Sequence, residues 1–478
     1  MTADTVSATA AIPPAMTPDE IAAALPAVAD ESGSLAPPRE IQALSLKMRA
    51  LIGSAWTMGD YVLSRGLALA SNVILAWMLM PEEAFGLMAT VSVFLMGLAM
   101  FSDIGIGPNI IFSKRGEDSE YLNTAWTIQV MRGGALFFCS CILAWPVSLF
   151  YQAPPLAVLL PVCGFTAVIQ GFTSTSLVML NRRMRLGMIT VLDMIGQILQ
   201  ILTMIAWAKF ISLDVWSLVF GSHVSSGFRV LYSHLLVREH KTRFAWNKAD
   251  ARSMFHFGRW IFMSTVLTFL AGQLDRLMFA KMLGMAMMGI YNIAVQFSIV
   301  PQQLIKKMGS VVAFPVLAEV ARERPEELPR QFRRVRTPLV VLSLSVIVTL
   351  ILIAKPLIVL LYKGNYENAG PILQVLSVGA LGGVLNTTYG SVLLAMKKTF
   401  EIMALLVTYI IFLIVGTQLG FHWYGEVGFI WGVALVEWLN YPFNAAVLAR
   451  HGMWQARLDA AVIAVSAATI FLAFWVLP

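Results

Sequence analysis

From Leu51 to Leu477 apolar residues come in stretches about twenty long, and short polar links separate them. Thirteen such stretches can be marked, at 53–80, 87–111, 123–149, 155–179, 187–209, 213–237, 258–282, 285–308, 337–361, 370–396, 401–421, 424–448 and 457–477. A helix needs about 20 apolar residues to cross the hydrocarbon core of a bilayer, so each stretch is expected to be a membrane-spanning helix. Tyr441-Pro442 lies inside the twelfth and should kink it.

The links alternate between basic and nearly charge-free. Arg39, Lys47 and Arg49 precede the first stretch; Lys114 and Arg115 lie in the second link, and Arg182, Arg183 and Arg185 in the fourth. The sixth holds Arg238, Lys241, Arg243, Lys248 and Arg252; the eighth holds Arg322, Arg324, Arg330, Arg333, Arg334 and Arg336. Lys397 and Lys398 mark the tenth, Arg450 and Arg457 the twelfth, whereas the odd-numbered links have only Lys209, Lys281 and Lys363. Short loops rich in Lys and Arg stay in the cytoplasm, which places the N-terminus and every even link there.

Composition agrees: 58% of residues are hydrophobic and 13% charged, where a soluble domain has nearly twice that charge. The net charge of +7 is spread over seven links rather than gathered on one face, which excludes a nucleic-acid surface. Residues 1–38 contain no Lys or Arg and no apolar core, so they read as a disordered cytoplasmic tail rather than a signal peptide. Ile41, Leu44, Met48 and Leu51 suit a short helix on the membrane surface, and residues 315–336 suit another, interrupted by Pro325 and Pro329. Cys139, Cys141 and Cys163 lie within spans with no His or carboxylate at ligand spacing; no metal site, disulfide framework or cofactor is expected.

A weak internal repeat links Leu79-Met80-Pro81-Glu82-Glu83-Ala84-Phe85-Gly86 to the segment beginning Leu283-Gly284, 204 residues on. Each follows a span with Trp near its cytoplasmic start, Trp56 or Trp260. Both blocks start inside, so the halves would be related by a pseudo-two-fold axis along the membrane normal, as in transporters with parallel repeats. The expected fold is therefore all-α, a polytopic membrane protein of about 12–14 helices in two six-helix lobes. The tail and surface helix would occupy 1–50, the N-lobe 51–237, a cytoplasmic link 238–257, the C-lobe 258–448, and an additional span 449–478.

The chain resembles the polysaccharide (O-antigen) flippases of the multidrug/oligosaccharidyl-lipid/polysaccharide (MOP) export superfamily. The resemblance is carried by the Leu79–Gly86 link, by Phe101-Ser102-Asp103-Ile104-Gly105 and by Val215-Trp216-Ser217-Leu218-Val219. Gln273-Leu274-Asp275-Arg276, Tyr291, Phe314-Pro315 and Leu360-Leu361-Tyr362-Lys363-Gly364 complete it. It implies a lipid-linked glycan as cargo and a central cavity lined mainly by the first, second, seventh and eighth spans.

Charges inside spans cost roughly 2.5–3.5 kcal/mol each on insertion scales and usually face a protein interior or cavity. Arg65 lies roughly 18 Å from the nearer end of its helix, too deep to snorkel. Asp60, five positions away, points about 140° elsewhere. Arg132 is roughly 13 Å in, whereas Arg229, Arg276 and Lys355 lie near enough to helix ends to snorkel. One reading of Arg65 is a buried pair with a carboxylate, such as Asp103, Asp193, Asp275 or Glu437, that locks helices together. The other is a guanidinium lining a cavity and receiving the pyrophosphate of a polyprenyl-linked oligosaccharide through paired donors. On the spans that the resemblance implies, candidate cavity residues are Arg65, Asp60, Asp103, Gln273, Asp275, Asn292 and Gln296, with Arg132 on the third. Asn292 and Gln296 would serve equally as interhelical hydrogen-bonding groups. Asp275, Asp103 and Glu437 are candidates for coupling transport to a proton or sodium gradient.

The expected function is a flippase of a bacterial inner membrane that moves a lipid-linked sugar outward for polysaccharide or lipopolysaccharide assembly, without covalent chemistry. Its partners would be membrane lipids, the glycan substrate and other assembly proteins. A polymerase or ligase would need a large external loop, and the external links are short; a small-molecule antiporter of the same superfamily is the nearer alternative.

Overall fold

The structure, a computed structural model, describes residues 46–476 apart from 79–80, 104, 114, 184–185, 238–239 and 363. It divides into a unit ending at Ile52 and a second from Gly53 to Pro478. The expected N-terminal tail lies outside the described residues, as does the expected surface helix up to residue 45; residues 46–52 open the first long helix. The N-lobe comprises α1 (Leu46–Trp77), α2 (Glu82–Phe101), α3 (Ile106–Phe112), α4 (Ser119–Tyr151), α5 (Leu156–Gly171), α6 (Ser176–Arg182), α7 (Leu186–Phe210) and α8 (Val215–Leu235). There follow α9 (Lys248–Ser298), α10 (Val300–Met308), α11 (Phe314–Glu323), α12 (Leu328–Leu361), α13 (Ala369–Ala395), α14 (Thr399–Arg450) and α15 (Ala456–Phe471). No strand occurs among the described residues. In hydrocarbon, where nothing else can satisfy backbone N–H and C=O groups, helices are the expected solution. Eight described helices are long and apolar enough to cross a bilayer, and nine if the bent pair α5–α6, which turns by 66°, is one span.

Two of these helices are hairpins. A straight α9 would run roughly 75 Å, more than twice the hydrocarbon thickness. It breaks at Gly284, whose φ of 84° and ψ of 175° suit a residue without a Cβ. Beyond the break the chain returns on itself: the rings of Phe279 and Tyr291 stack at 4.1 Å, and the Tyr291 hydroxyl donates to Asp275 at 2.8 Å. α14 turns back at Tyr424-Gly425. There a Cβ built on Gly428 would fall 1.9 Å from the Gly420 carbonyl oxygen, so the two arms are in backbone contact. Such close approach is how membrane helices gain packing energy without a hydrophobic driving force.

Alternate links gather at opposite ends. At the charge-poor end Tyr151 donates to the Leu277 carbonyl at 3.2 Å, Trp77 to the Leu361 carbonyl at 2.6 Å, and Phe85 meets Tyr366 edge-on. The largest apolar core lies here and draws on α1, α2, α4, α5, α7, α8, α9, α12, α13 and α14. At the basic end Arg182 donates to the carbonyls of Ile110 and Ser113, closing α3, and Arg115 pairs with Asp250 at the start of α9. The segment before α9 is strapped to α4: the Arg243 and Asn247 backbone amides donate to the side chains of Asn123 and Thr124, and the Ala245 amide to Thr127.

Three boundaries differ from the sequence reading. α9 begins at Lys248, capped by the Asn247 side chain, so the link expected over 238–257 ends in a helical segment. The surface helix expected over 315–336 breaks at Pro325 as expected, but Pro329 sits in the first turn of α12, which runs straight into the ninth span. The repeat is offset by 203 residues rather than 204. A Cβ on Gly86 would fall 1.7 Å from the Met285 carbonyl oxygen, and one on Gly289 2.1 Å from that of Glu82. The pairs Glu82/Met285 and Gly86/Gly289 thus exchange roles across one axis, the mark of a self-complementary, two-fold contact.

Arg336 also departs from its expected place among the cations of the eighth link. It is 1% exposed, and its Nη2 donates to Asp459 Oδ1 at 2.7 Å. Its Nε donates to Thr388, and its guanidinium lies 3.9 Å from the Tyr389 ring centre. Asp459 also accepts from the hydroxyls of Tyr389 and Tyr441. This network binds α15 to α12, α13 and α14.

Candidate functional site

The glycine crossing joins the N-terminal turns of α2 and of the second arm of α9 at the charge-poor end. On the basic side of it, both arms of α9, α10, α13 and both arms of α14 line a cavity of about 480 Å³. Met96 and Met100 of α2 complete its wall, so both lobes contribute to it.

The polar lining follows from helical spacing. On α14 Glu437, Asn440 and Asn444 stand at i, i+3 and i+7, which puts them on one face. On α9 Gln273 and Arg276 are one turn apart, and Arg276 Nη1 donates to Gln273 Oε1 at 2.9 Å. Asp275 accepts from Tyr291, which leaves its second oxygen free of that bond. Asn386 of α13 donates through Nδ2 to Glu437 Oε2 at 2.9 Å and to its carbonyl at 2.7 Å. Lys306 of α10 lies close enough to attract the Glu437 carboxylate. Three buried atoms of this lining have no hydrogen-bond partner: Asn386 Oδ1, Asn440 Oδ1 and Arg276 Nε. Among the described residues no cluster of His, Cys, Asp and Glu could hold a metal ion.

The structure brings Gln273, Asp275 and Glu437 together in this cavity and places the other sequence candidates elsewhere. Arg65 is exposed on α1, outside the cavity lining; its neighbour Ser64 accepts through its carbonyl from Gln197 of α7 at 2.8 Å. The side chain of Asp60 lies outside the described residues. Arg132 donates to the Ala99 carbonyl at 2.6 Å and to Ser102 at 2.9 Å, so it caps the end of α2. Asp103 accepts from the Gly105 amide in the bend that follows. Gln296 accepts from Asn72 of α1 at 2.7 Å, a bond between the lobes, and Asn292 is half-buried on the same arm of α9.

Sequence reasoning missed Asn386, Asn440, Asn444, Lys306 and Tyr409, all in the lining. Taking candidates mainly from the first, second, seventh and eighth spans passed over the tenth to twelfth, although the amide spacing on α14 is legible. Arg229 was assigned to the interface, yet it pairs with Asp193 at 3.1 Å, and Asp193 also accepts from the Tyr232 hydroxyl at 2.6 Å. Asp193 precedes Gln197 by one turn, so this cluster shares the α7 face that meets α1.

Comparison with known proteins agrees with this architecture. The model of a family described as polysaccharide biosynthesis proteins matches residues 74–371. The lipopolysaccharide biosynthesis protein WzxC of Escherichia coli K12 is 22% identical over 404 residues, 83% of this chain and 80% of WzxC. The succinoglycan biosynthesis transport protein ExoT of Rhizobium meliloti is 24% identical over 330 residues, 68% of this chain and 64% of ExoT. Among solved structures, the lipid II flippase MurJ in an inward closed conformation aligns with a TM-score of 0.67 at 15% identity, covering 89% of this chain and 92% of MurJ. An inward-facing multidrug resistance MATE family transporter of the MOP superfamily aligns with a TM-score of 0.64 at 15% identity, covering 84% and 95%. These likenesses identify a two-lobed, polytopic MOP-type fold.

Proposed function

Because the chain belongs to the polysaccharide biosynthesis protein family, we propose that it is a flippase for a polyprenyl-pyrophosphate-linked oligosaccharide. It moves its cargo from the cytoplasmic to the outer leaflet of a bacterial inner membrane, with the N-terminus and the basic links in the cytoplasm. The observation that carries the cargo assignment is Arg65, a guanidinium exposed on α1 about twelve residues inside its span. A planar fork of donors at that depth suits a pyrophosphate, which Lys would hold only as a point charge. Arg229 of α8, paired with Asp193 of α7, adds a second cation to the N-lobe.

Transport proceeds by rocking of the two lobes, which closes and parts the Gly86–Gly289 crossing, and no bond is made or broken in the cargo. Asp275 and Glu437 in the C-lobe cavity, and Asp103 at the end of α2, are the carboxylates available to couple this motion to an ion gradient. The remaining candidates, Asp60, Gln273, Asn292 and Gln296, orient the cargo or hold the lobes in register, while Arg132 fixes the end of α2 beside Asp103. The amide-rich lining disfavours the second reading, a multidrug antiporter, whose apolar cargo would leave those groups unpaired.

Deleting the gene tests the reading: lipid-linked glycan should accumulate in the cytoplasmic leaflet, identified by mass spectrometry, and surface polysaccharide should disappear. Arg65→Ala should fail to complement while inserting normally, with Arg65→Lys partly active. Normal surface polysaccharide in the deletion strain would refute the function, and full activity of Arg65→Ala would refute the role of Arg65.

A further inference from the structure

We propose that the C-lobe cavity is a carbohydrate subsite that takes one uncharged sugar unit of the cargo, separate from the arginine that meets the pyrophosphate; this rests on the flippase reading above. Size is the first argument. At about 480 Å³ the cavity falls in the range of small-molecule pockets, roughly 300–1,000 Å³. Direct coordination of a dehydrated cation needs oxygens converging at about 2.3–2.6 Å. No His, Cys, Asp and Glu cluster of that kind occurs among the described residues.

Charge is the second. Asp275 and Glu437 are matched by Arg276 and Lys306, so the lining carries no net formal charge to select an anion or a cation. Hydrogen-bonding capacity is the third. Asn440 is 5% exposed, yet its Oδ1 is unpartnered in the lining, as is Asn386 Oδ1 on the facing helix; both are acceptors waiting for donors. Arg276 Nε is a buried donor without an acceptor. A sugar hydroxyl both donates and accepts, so a ring of hydroxyls satisfies amide oxygens and a guanidinium N–H at once. An apolar ligand would leave all three unpaired, at a cost of desolvation each time. Because Met96 and Met100 of α2 close one wall, rocking of the N-lobe uncovers or seals this subsite with the same motion that moves the lipid-linked headgroup.

The test uses purified full-length protein in lipid nanodiscs and saturation-transfer NMR with methyl glucoside, the methyl glycoside of N-acetylglucosamine, methyl glucuronide, and Na⁺ as competitor. Empty nanodiscs serve as the blank. An uncharged glycoside should give a saturating signal that methyl glucuronide does not match and that 100 mM Na⁺ leaves unchanged. Asn440→Leu should lower it at least tenfold. Thr387→Trp, which fills the cavity without removing those partners, should do the same in protein that elutes as the wild type does. No signal from any uncharged glycoside, displacement by Na⁺, or an unaltered signal in the well-folded variants overturns the proposal. Complementation of the deletion strain separates the two readings. A wild-type protein that restores surface polysaccharide but binds no glycoside overturns only the subsite, and one that binds glycoside but restores nothing overturns only the flippase.

Discussion

Replacing Gly86 by Ala should unseal the charge-poor end of the molecule. The new Cβ would lie 1.7 Å from the Met285 carbonyl oxygen, whereas ordinary contact begins at 3.4 Å, so the backbones must part by about 1.7 Å, the difference. Overpacking of this kind costs about 1–3 kcal/mol. Gaps of 0.5–1 Å already forfeit about a quarter to a half of each lost contact. At about 1.4 kcal/mol per factor of ten, a cost of 2–3 kcal/mol lowers the population of the sealed form by roughly 30- to 150-fold. In the proposed rocking motion the crossing parts, so the cost falls on the sealed form alone. Nitroxide labels at Gln152 and Glu367, exposed residues flanking this end in the two lobes, report the separation in a chain whose three cysteines are replaced. Pulsed dipolar spectroscopy should give one short distance in the parent and a dominant longer one in Gly86→Ala. Gly289→Ala should act alike, since its Cβ would fall 2.1 Å from the Glu82 carbonyl oxygen. The double variant should add less than the sum, because the same gap is opened once. Identical distance distributions in the parent and in monodisperse Gly86→Ala would refute the crossing as the seal.

The network around Arg336 predicts a different pattern: Arg336→Met or Asp459→Leu alone should cost about 3–5 kcal/mol, read as a drop in thermal stability, because each strands a buried charge. The pair of changes together should recover most of that loss, and single variants as stable as the parent would contradict the geometry. At the basic end, burial holds the His240 imidazole below its usual pKa near 6.5, and its Nε2 faces Asn123 Oδ1 at 2.9 Å. A folded-state pKa below the unfolded one contributes stability above the unfolded pKa and loses it as pH falls through the folded one. Amide protection over 240–247, taken relative to the intrinsic exchange rate at each pH, should therefore fall between pH 7.5 and 5.5, and His240→Gln should remove that dependence; an equal fall in both would disprove it.

How much of this was legible in the sequence differs by level. The apolar stretches marked each of the eight described helices long and apolar enough to cross a bilayer, because spanning length is a local property of composition. The two hairpins were legible as closely spaced stretches, and the alternation of basic links was recovered as two opposite ends. The repeat was seen but misaligned by one residue, since apolar neighbours match at several offsets and only the facing glycines fix one. Arg336 was read as a link charge because its buried partner, Asp459, is 123 residues away. Arg132 looked like a cavity residue because depth alone does not reveal that a neighbouring helix ends beside it.

The amino-acid sequence by itself determined the membrane class, the order of the helices, their alternating direction and the family. All of these follow from hydropathy, charge and motif along one dimension. Only the tertiary structure decided which polar groups share a space. It joined Asp275, Asn386 and Glu437 from three helices into one cavity, set Gly86 against Gly289, and withdrew Arg132 and Arg336 into structural bonds. The physical reason is that a polar group in a membrane helix is defined by its partner, and helix packing chooses partners far apart in the chain.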